Sequence, residues 1–396
     1  MSDPARERAV SSRSNAMIYL DHHATTPVDS RVVDIVTRAM LDDYGNANGV
    51  ENLHGERAAS IVDRSKASVA SLLRSDPADV HFTSGSTEAI ELALSHAIAS
   101  GKAPLRVGLS TVEHKAVIDY VLRAEGLGLC TKVWLPVNDE AMLDWTAFET
   151  ALHSGLDLVC VMAANNEVGT TYPITEVAAA SHLFGAKILV DATQAVGRME
   201  IDTEGDNLDY VVVSAHKVYG PKGIGALISR HFEPSHLTGL RGAHQATPNV
   251  PGIAGMGRAF EIMEMEGDEE SRRLALLRDL LLRRLQALVP GLVVNGSEKD
   301  RLPHNLHVSA PGAPNDIVLL RLRGQVSVST GSACNSGAQE PSHVLRAMGL
   351  DAARIESSLR MGLGRSTSND DVKIAATLIA DAIADVRSSL SGESYA

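Results

Sequence analysis

At about 150 residues per domain, a chain of 396 residues is long enough for two domains. Its 36 basic and 49 acidic residues give a net charge of −13 with no tight basic run, so nucleic acid is not an expected partner. No apolar stretch is long enough and free enough of charge to span a membrane, and three cysteines without a CxxC pair point to no metal site and to a reducing, cytoplasmic setting.

The first 17 residues mix Arg6, Arg8 and Arg13 with Asp3 and Glu7 and lack the apolar core of a secretory signal, so they read as a flexible tail. From about Asp29 to Leu227, short runs rich in Val, Ile and Leu fall at 80–83, 106–110, 133–137, 157–162, 187–190, 210–214 and 224–228. Segments of helical period, such as 87–100 and 174–184, lie between several of them. That alternation predicts βα units around a mostly parallel sheet, with ligands beyond the carboxyl ends of its strands. A long helical stretch at 253–289 follows and bridges to a smaller α+β unit. This unit has strand candidates at 292–294, 306–308, 326–329 and 358–361 and helix candidates at 315–322, 341–348 and 370–390. The expected division is a tail at 1–17, a large domain at 18–262 whose first residues can pack with the small one, and a small domain at 263–396.

Polar clusters stand where the strands of such a sheet would end. Ser214-Ala215-His216-Lys217 precedes a Gly-rich turn, and a partly desolvated Lys217 could form a Schiff base with an aldehyde cofactor. It could equally be a solvated loop lysine. Asp191, with Gln194 three residues on, could pair with a pyridine nitrogen or could cap a helix beginning at Ala192. The turn from Ser84 to Glu88 could hold a phosphate on its free N–H groups and hydroxyls, or could be a capping box served by Ser84 or Thr87. His114 could stack on a flat ring and move protons, or could be merely solvated. Asn165 to Gly169 offers an amide to a ring oxygen, or a simple turn. Cys334, among small polar residues from Ser329 to Gly337, reads as a mobile reactive thiol or an ordinary loop cysteine, whereas Cys130 and Cys160 read as packing.

In this order the residues resemble the cysteine desulfurases of the nitrogenase and iron–sulfur-assembly type, within the class-V aminotransferase-like pyridoxal-phosphate enzymes. The resemblance runs from Tyr19-Leu20-Asp21 and Ala24-Thr25-Thr26-Pro27 to Leu363-Gly364-Arg365. It is most specific at Ser214 to Lys217 with Gly220 to Gly225, and at Thr330 to Cys334 with Glu340 to Arg346. It implies the fold type I α/β architecture, a large domain with a mostly parallel seven-stranded sheet plus a smaller α+β domain.

It also implies roles. Lys217 would be the Schiff-base lysine and His114 would stack on the ring. Asp191 would pair with the pyridine nitrogen, and Gln194 and Asn166 would contact the ring oxygen. Ser86, Thr87, Ser214 and His216 would hold the phosphate, and Thr247 would reach the phosphate of the neighbouring subunit in a homodimer. Arg360 would clamp the substrate carboxylate, with Arg365 its competitor, and Asn166 would also contact the substrate. The implied reaction takes sulfur from L-cysteine, leaving L-alanine and a Cys334 persulfide for an acceptor protein. Rival readings are a selenocysteine lyase or C–S lyase of the same fold, and a catalytically silent sulfur-relay or scaffold subunit. The chain departs from the family pattern at 237–245, poorer in glycine and with His244 in place of an arginine, and at 45–55.

Overall fold

A computed structural model describes residues 17–102, 104–233, 247–330 and 341–392; residues 1–16 of the expected tail, the whole of the 237–245 segment and Cys334 lie outside them. The first half comprises β1 (Ile18–Tyr19), α1 (Ser30–Leu41), α2 (Leu53–Leu73), β2 (Val80–Thr83), α3 (Ser86–Ser100), β3 (Leu105–Ser110), α4 (Lys115–Gly126) and β4 (Cys130–Leu135). It continues through α5 (Trp145–His153), β5 (Leu158–Cys160), α6 (Ile174–Leu183), β6 (Lys187–Asp191), β7 (Tyr210–Ser214) and β8 (Gly225–Ile228). The seven apolar runs of the sequence become one seven-stranded sheet in the order β2-β8-β7-β6-β5-β3-β4. The strands from β7 to β4 pair in parallel, while β8 runs antiparallel to both β7 and β2. Every residue of β7 and β8 is buried, as continuous Val/Ile/Leu runs require when both faces of a sheet are covered.

The reversal into β8 matters for the site. A Cβ on Gly225 would lie 2.7 Å from the Val213 carbonyl oxygen and 2.8 Å from the backbone of Gly85. Only glycine lets the turn before α3 cross the end of this strand pair, which brings the amino end of α3 beside the end of β7.

Helix α7 (Val250–Leu288) has 39 residues and is roughly 58 Å long at 1.5 Å per residue. Met256, Phe260 and Met263 join the core of the large domain, whereas Leu274, Leu277, Leu281 and Leu285 join a second core. The change of core thus falls inside one continuous helix. Beyond it come β9 (Val293–Val294), β10 (Asn305–Ser309), α8 (Asn315–Leu322), β11 (Val326–Ser327), α9 (His343–Ala347), α10 (Ala352–Glu356), β12 (Ser358–Gly362) and α11 (Asn369–Ser391). β12, β10 and β9 form an antiparallel sheet, and β1 pairs in parallel with β11. Chain order does not decide membership here. Leu20 is part of the second core, and Val344, Leu345 and Met348 pack into the first. No helix among the described residues is long and apolar enough to cross a membrane.

Candidate active site

A cavity of about 530 Å³ opens at the carboxyl ends of the parallel strands, lined from the large domain by Ser86, Asp191 and Lys217 and from the small one by Val328 and Arg360. A larger groove of about 890 Å³ between α1, α2 and α7 carries charges of both signs, Arg38, Asp42, Glu56 and Arg64 among them, and holds none of the candidate residues.

Lys217 ends a short 3₁₀ turn, Ala215–Lys217, directly after β7. Its Nζ donates to the carbonyl oxygens of His23 at 2.5 Å and Ala24 at 2.9 Å. Burial, and then the charge of Arg360, lower its pKa to about 8 against the pull of Asp191 and Asp21. A larger share of the amine is therefore free near neutral pH than in an ordinary lysine.

Asp191 closes β6, and its Oδ1 accepts from the Thr193 N–H at 2.9 Å. The capping alternative does not hold, because turns and no α-helix follow from 192 to 199. Among the described residues no protein donor takes Oδ2, so the carboxylate of this cavity-lining residue retains an acceptor for a ring N–H. Behind it Glu113 is fully buried, with Oε1 accepting from the Met162 N–H at 2.5 Å. Burial and the neighbouring Asp191 raise its pKa well above the usual value, which favours its neutral form.

At the start of α3 the N-cap is Gly85, with no side-chain cap. The expected cap by Ser84 or Thr87 is absent; instead the Glu88 carboxylate reaches back to the Ser84 N–H at 2.6 Å. Ser86 and Thr87 thus bring hydroxyls and first-turn N–H groups to the cavity, a combination suited to phosphate. His216 lines it too, with Nδ1 3.1 Å from the Thr25 hydroxyl. Burial, with Lys217 and Lys222 nearby, presses its pKa to about 4, leaving it neutral.

His114 is neither loosely solvated nor free to turn. It is the N-cap of α4, and its Nδ1 accepts from the Ala116 N–H at 3.2 Å. That bond assigns the proton to Nε2, and burial lowers the pKa of the ring. At 165–169 both readings of the sequence are realised by different residues. Asn165 Oδ1 accepts from the N–H groups of Glu167 and Val168, closing the turn, while Asn166 lines the cavity.

Arg360, buried in β12, donates through Nη2 to Asp21 Oδ1 and through Nη1 to the Asn166 carbonyl oxygen, both at 2.9 Å. Arg365 is occupied elsewhere. Its Nε reaches Glu270 Oε2 at 2.7 Å, its Nη1 reaches Asp29 Oδ2 at 2.5 Å, and its guanidinium lies 4.3 Å from the Tyr219 ring centroid. Two other expected residues stand apart from the cavity lining. Ser214 is buried and donates toward the Ile224 carbonyl oxygen at 3.4 Å, and Thr247 is exposed just ahead of α7. Cys334 lies outside the described residues, although Thr330, four residues earlier, lines the cavity. Sequence reasoning missed Asp21, His23 and Thr193, and the apolar wall of Leu319 and Val328. Asp21 ends the quoted Tyr19-Leu20-Asp21 and His23 falls between that motif and Ala24, but their place at the strand ends follows from the long-range pairing of β1 with β11 and of Asp21 with Gly362.

A profile of the class-V aminotransferases matches residues 18–374. Over 379 residues the chain is 38% identical to the cysteine desulfurase IscS of Anaeromyxobacter sp. (strain Fw109-5), covering 93% of each sequence. A solved NifS-like protein superposes with a TM-score of 0.83 at 29% identity, over 93% of this chain and 100% of the other. SspA in complex with cysteine superposes at 0.74 and 25% identity, over 88% and 99%. With a lysine of lowered pKa, a carboxylate acceptor and a phosphate-ready helix start converging on one cavity, the residues fit pyridoxal phosphate, and the chain belongs to the class-V aminotransferase family, among its pyridoxal-phosphate-dependent cysteine desulfurases.

Proposed function

We propose that the chain binds L-cysteine through Arg360, moves its Cα proton with Lys217, and takes up its sulfur on Cys334, releasing L-alanine. The observation that carries this reading is the convergence of Lys217, Asp191, the start of α3 and Arg360 on one cavity. Ser86, Thr87, His216 and Asp191 would hold pyridoxal phosphate, which when bound would supply an electron sink for the pair left when the Cα proton departs. Arg360 faces the substrate carboxylate with a donor-only fork already steadied by Asp21 and Asn166. Lys217, whose lowered pKa favours the free amine, is the base for the Cα proton. His114, capped in place with its proton on Nε2, would stand against the cofactor ring and could donate from that nitrogen. The sulfur of Cys334 then forms an S–S bond to the substrate sulfur as the substrate C–S bond breaks, and the carbon fragment is protonated to alanine. A cytoplasmic acceptor protein takes the sulfur onward.

The exposed position of Thr247, outside its own cavity, supports service to a second copy in a two-fold dimer. Cys130 and Cys160 are buried, and burial raises both thiol pKa values, which suits neither for nucleophilic attack. The test is mass spectrometry after one turnover without reductant. A persulfide on Cys334, lost together with alanine release in Cys334→Ser while the cofactor band still responds to L-cysteine, is the expected result. Undiminished alanine release by Cys334→Ser would instead favour a C–S lyase that passes no sulfur to the protein.

A further inference from the structure

Gln194 lines the cavity, and its amide can present either a carbonyl oxygen or an N–H group to whatever binds there. Its surroundings leave no choice. Gln194 Nε2 is 3.1 Å from the His23 carbonyl oxygen, which can only accept, so the nitrogen must be on that side. Gln194 Oε1 then lies 3.0 Å from His23 Nδ1, which must carry a proton. Burial, with Arg360, Lys217 and His22 nearby, keeps the pKa of His23 well below the usual value, and His304 stacks on it at 4.4 Å. The ring is therefore neutral, and Nε2 holds a lone pair.

The far side of the ring requires the same polarity independently. Asn305 Nδ2 is 3.1 Å from His23 Nε2 and 3.0 Å from the Glu167 carbonyl oxygen, so both of its N–H bonds are donated. Asn305 Oδ1 accepts from Arg301 Nη1 at 3.0 Å, and a guanidinium can only donate. Arg301 is held in turn by the carbonyl oxygens of Ser297, through Nε at 2.7 Å, and Asn295, through Nη2 at 2.5 Å. Three groups of fixed character, Arg301 and the carbonyls of Glu167 and His23, thus agree on one arrangement with no free flip or tautomer between them. Even the space is reserved, since a Cβ on Gly169 (φ +78°) would lie 2.3 Å from Asn305 Cγ.

We propose that Arg301, Asn305 and His23 form a hydrogen-bond relay of fixed polarity that compels Gln194 to turn an N–H, not its carbonyl, into the cavity. Among the described residues no protein acceptor takes the second N–H of Gln194 Nε2, which leaves it for an anionic oxygen. Resting on the pyridoxal-phosphate reading above, the relay makes these three residues positioning residues for the ring oxygen of the cofactor. Donation to that oxygen stabilises its negative form and so holds down the pH at which the bound cofactor changes colour.

The wild-type holoenzyme, labelled with ¹⁵N-histidine, tests the polarity directly by NMR. His23 should be neutral with its proton on Nδ1, and a proton on Nε2 would overturn the proposal. Asn305→Asp replaces the donor facing Nε2 with an acceptor and should move the proton to Nε2. The pH midpoint of the visible band should then rise by about 0.5 to 1 unit, the equivalent of one ordinary hydrogen bond. A folded, cofactor-loaded Asn305→Asp protein with an unchanged midpoint would refute the coupling. The wild-type spectrum needs no variant, so the test survives a failure of Asn305→Asp to fold. Absence of any visible band would refute the cofactor reading and leave the His23 tautomer to be judged separately.

Discussion

Arg360→Ala should weaken L-cysteine binding while leaving the cofactor in place. The Arg360 fork is buried and preset by bonds of 2.9 Å to Asp21 and to Asn166, so it meets a carboxylate without having to be ordered first. Losing a charge-assisted pair of this kind removes about 2 to 3 kcal/mol of binding. That corresponds to a rise of roughly 30- to 150-fold in KM for L-cysteine. Alanine production against L-cysteine concentration measures it, on protein whose visible band matches that of the parent. Arg365→Ala is the control, because that side chain is tied to Glu270 and Asp29 away from the cavity and should leave KM within about threefold. A KM shift larger in Arg365→Ala than in Arg360→Ala would refute the reasoning.

Reloading of cofactor-free protein should speed up with pH through a midpoint near 8, since burial and Arg360 lower the pKa of Lys217 and only the free amine reacts; stopped-flow absorbance would show it. In Arg360→Ala that midpoint should move upward, and Lys217→Ala should lose the borohydride-reducible link altogether. Glu270→Ala should cost about 3 to 5 kcal/mol in denaturant unfolding, because Arg198, 3% exposed in its side chain, and Arg365 lose a buried partner. Although burial opposes it, Arg198, Tyr219 and Arg365 hold the Glu270 pKa below its usual value. Its stabilisation should therefore be present at neutral pH and fade as pH falls through the acid range, with the variant converging on the parent there. Sedimentation should find a two-fold dimer, and Thr247→Ala should weaken cofactor retention without changing that state; a fully active monomer would rule out the composite site.

Much of the large domain was readable because its signals are local. The run at 210–214 is β7 to the residue, the run at 80–83 is β2, and the pattern at 315–322 is α8. A parallel sheet puts the ends of its strands along one edge, so Ser86, His114, Asn166, Asp191 and Lys217 could be grouped from their places after apolar runs alone. The change from one core to the other was harder to read, since α7 runs unbroken through it and changes only the core it faces.

What the sequence determined by itself was the order of strands and helices and the kind of chemistry at their ends, because apolar period and turn residues act over a few positions. The tertiary structure alone decided that Arg360 and not Arg365 meets the cavity, that Ser214 turns inward, that Asp191 opens a turn, and that His23 governs the face shown by Gln194. Those outcomes depend on pairings between residues far apart in the chain, such as β1 with β11 and Arg360 with Asp21, and on a rule no local pattern contains: a buried donor must find an acceptor wherever the packed chain provides one.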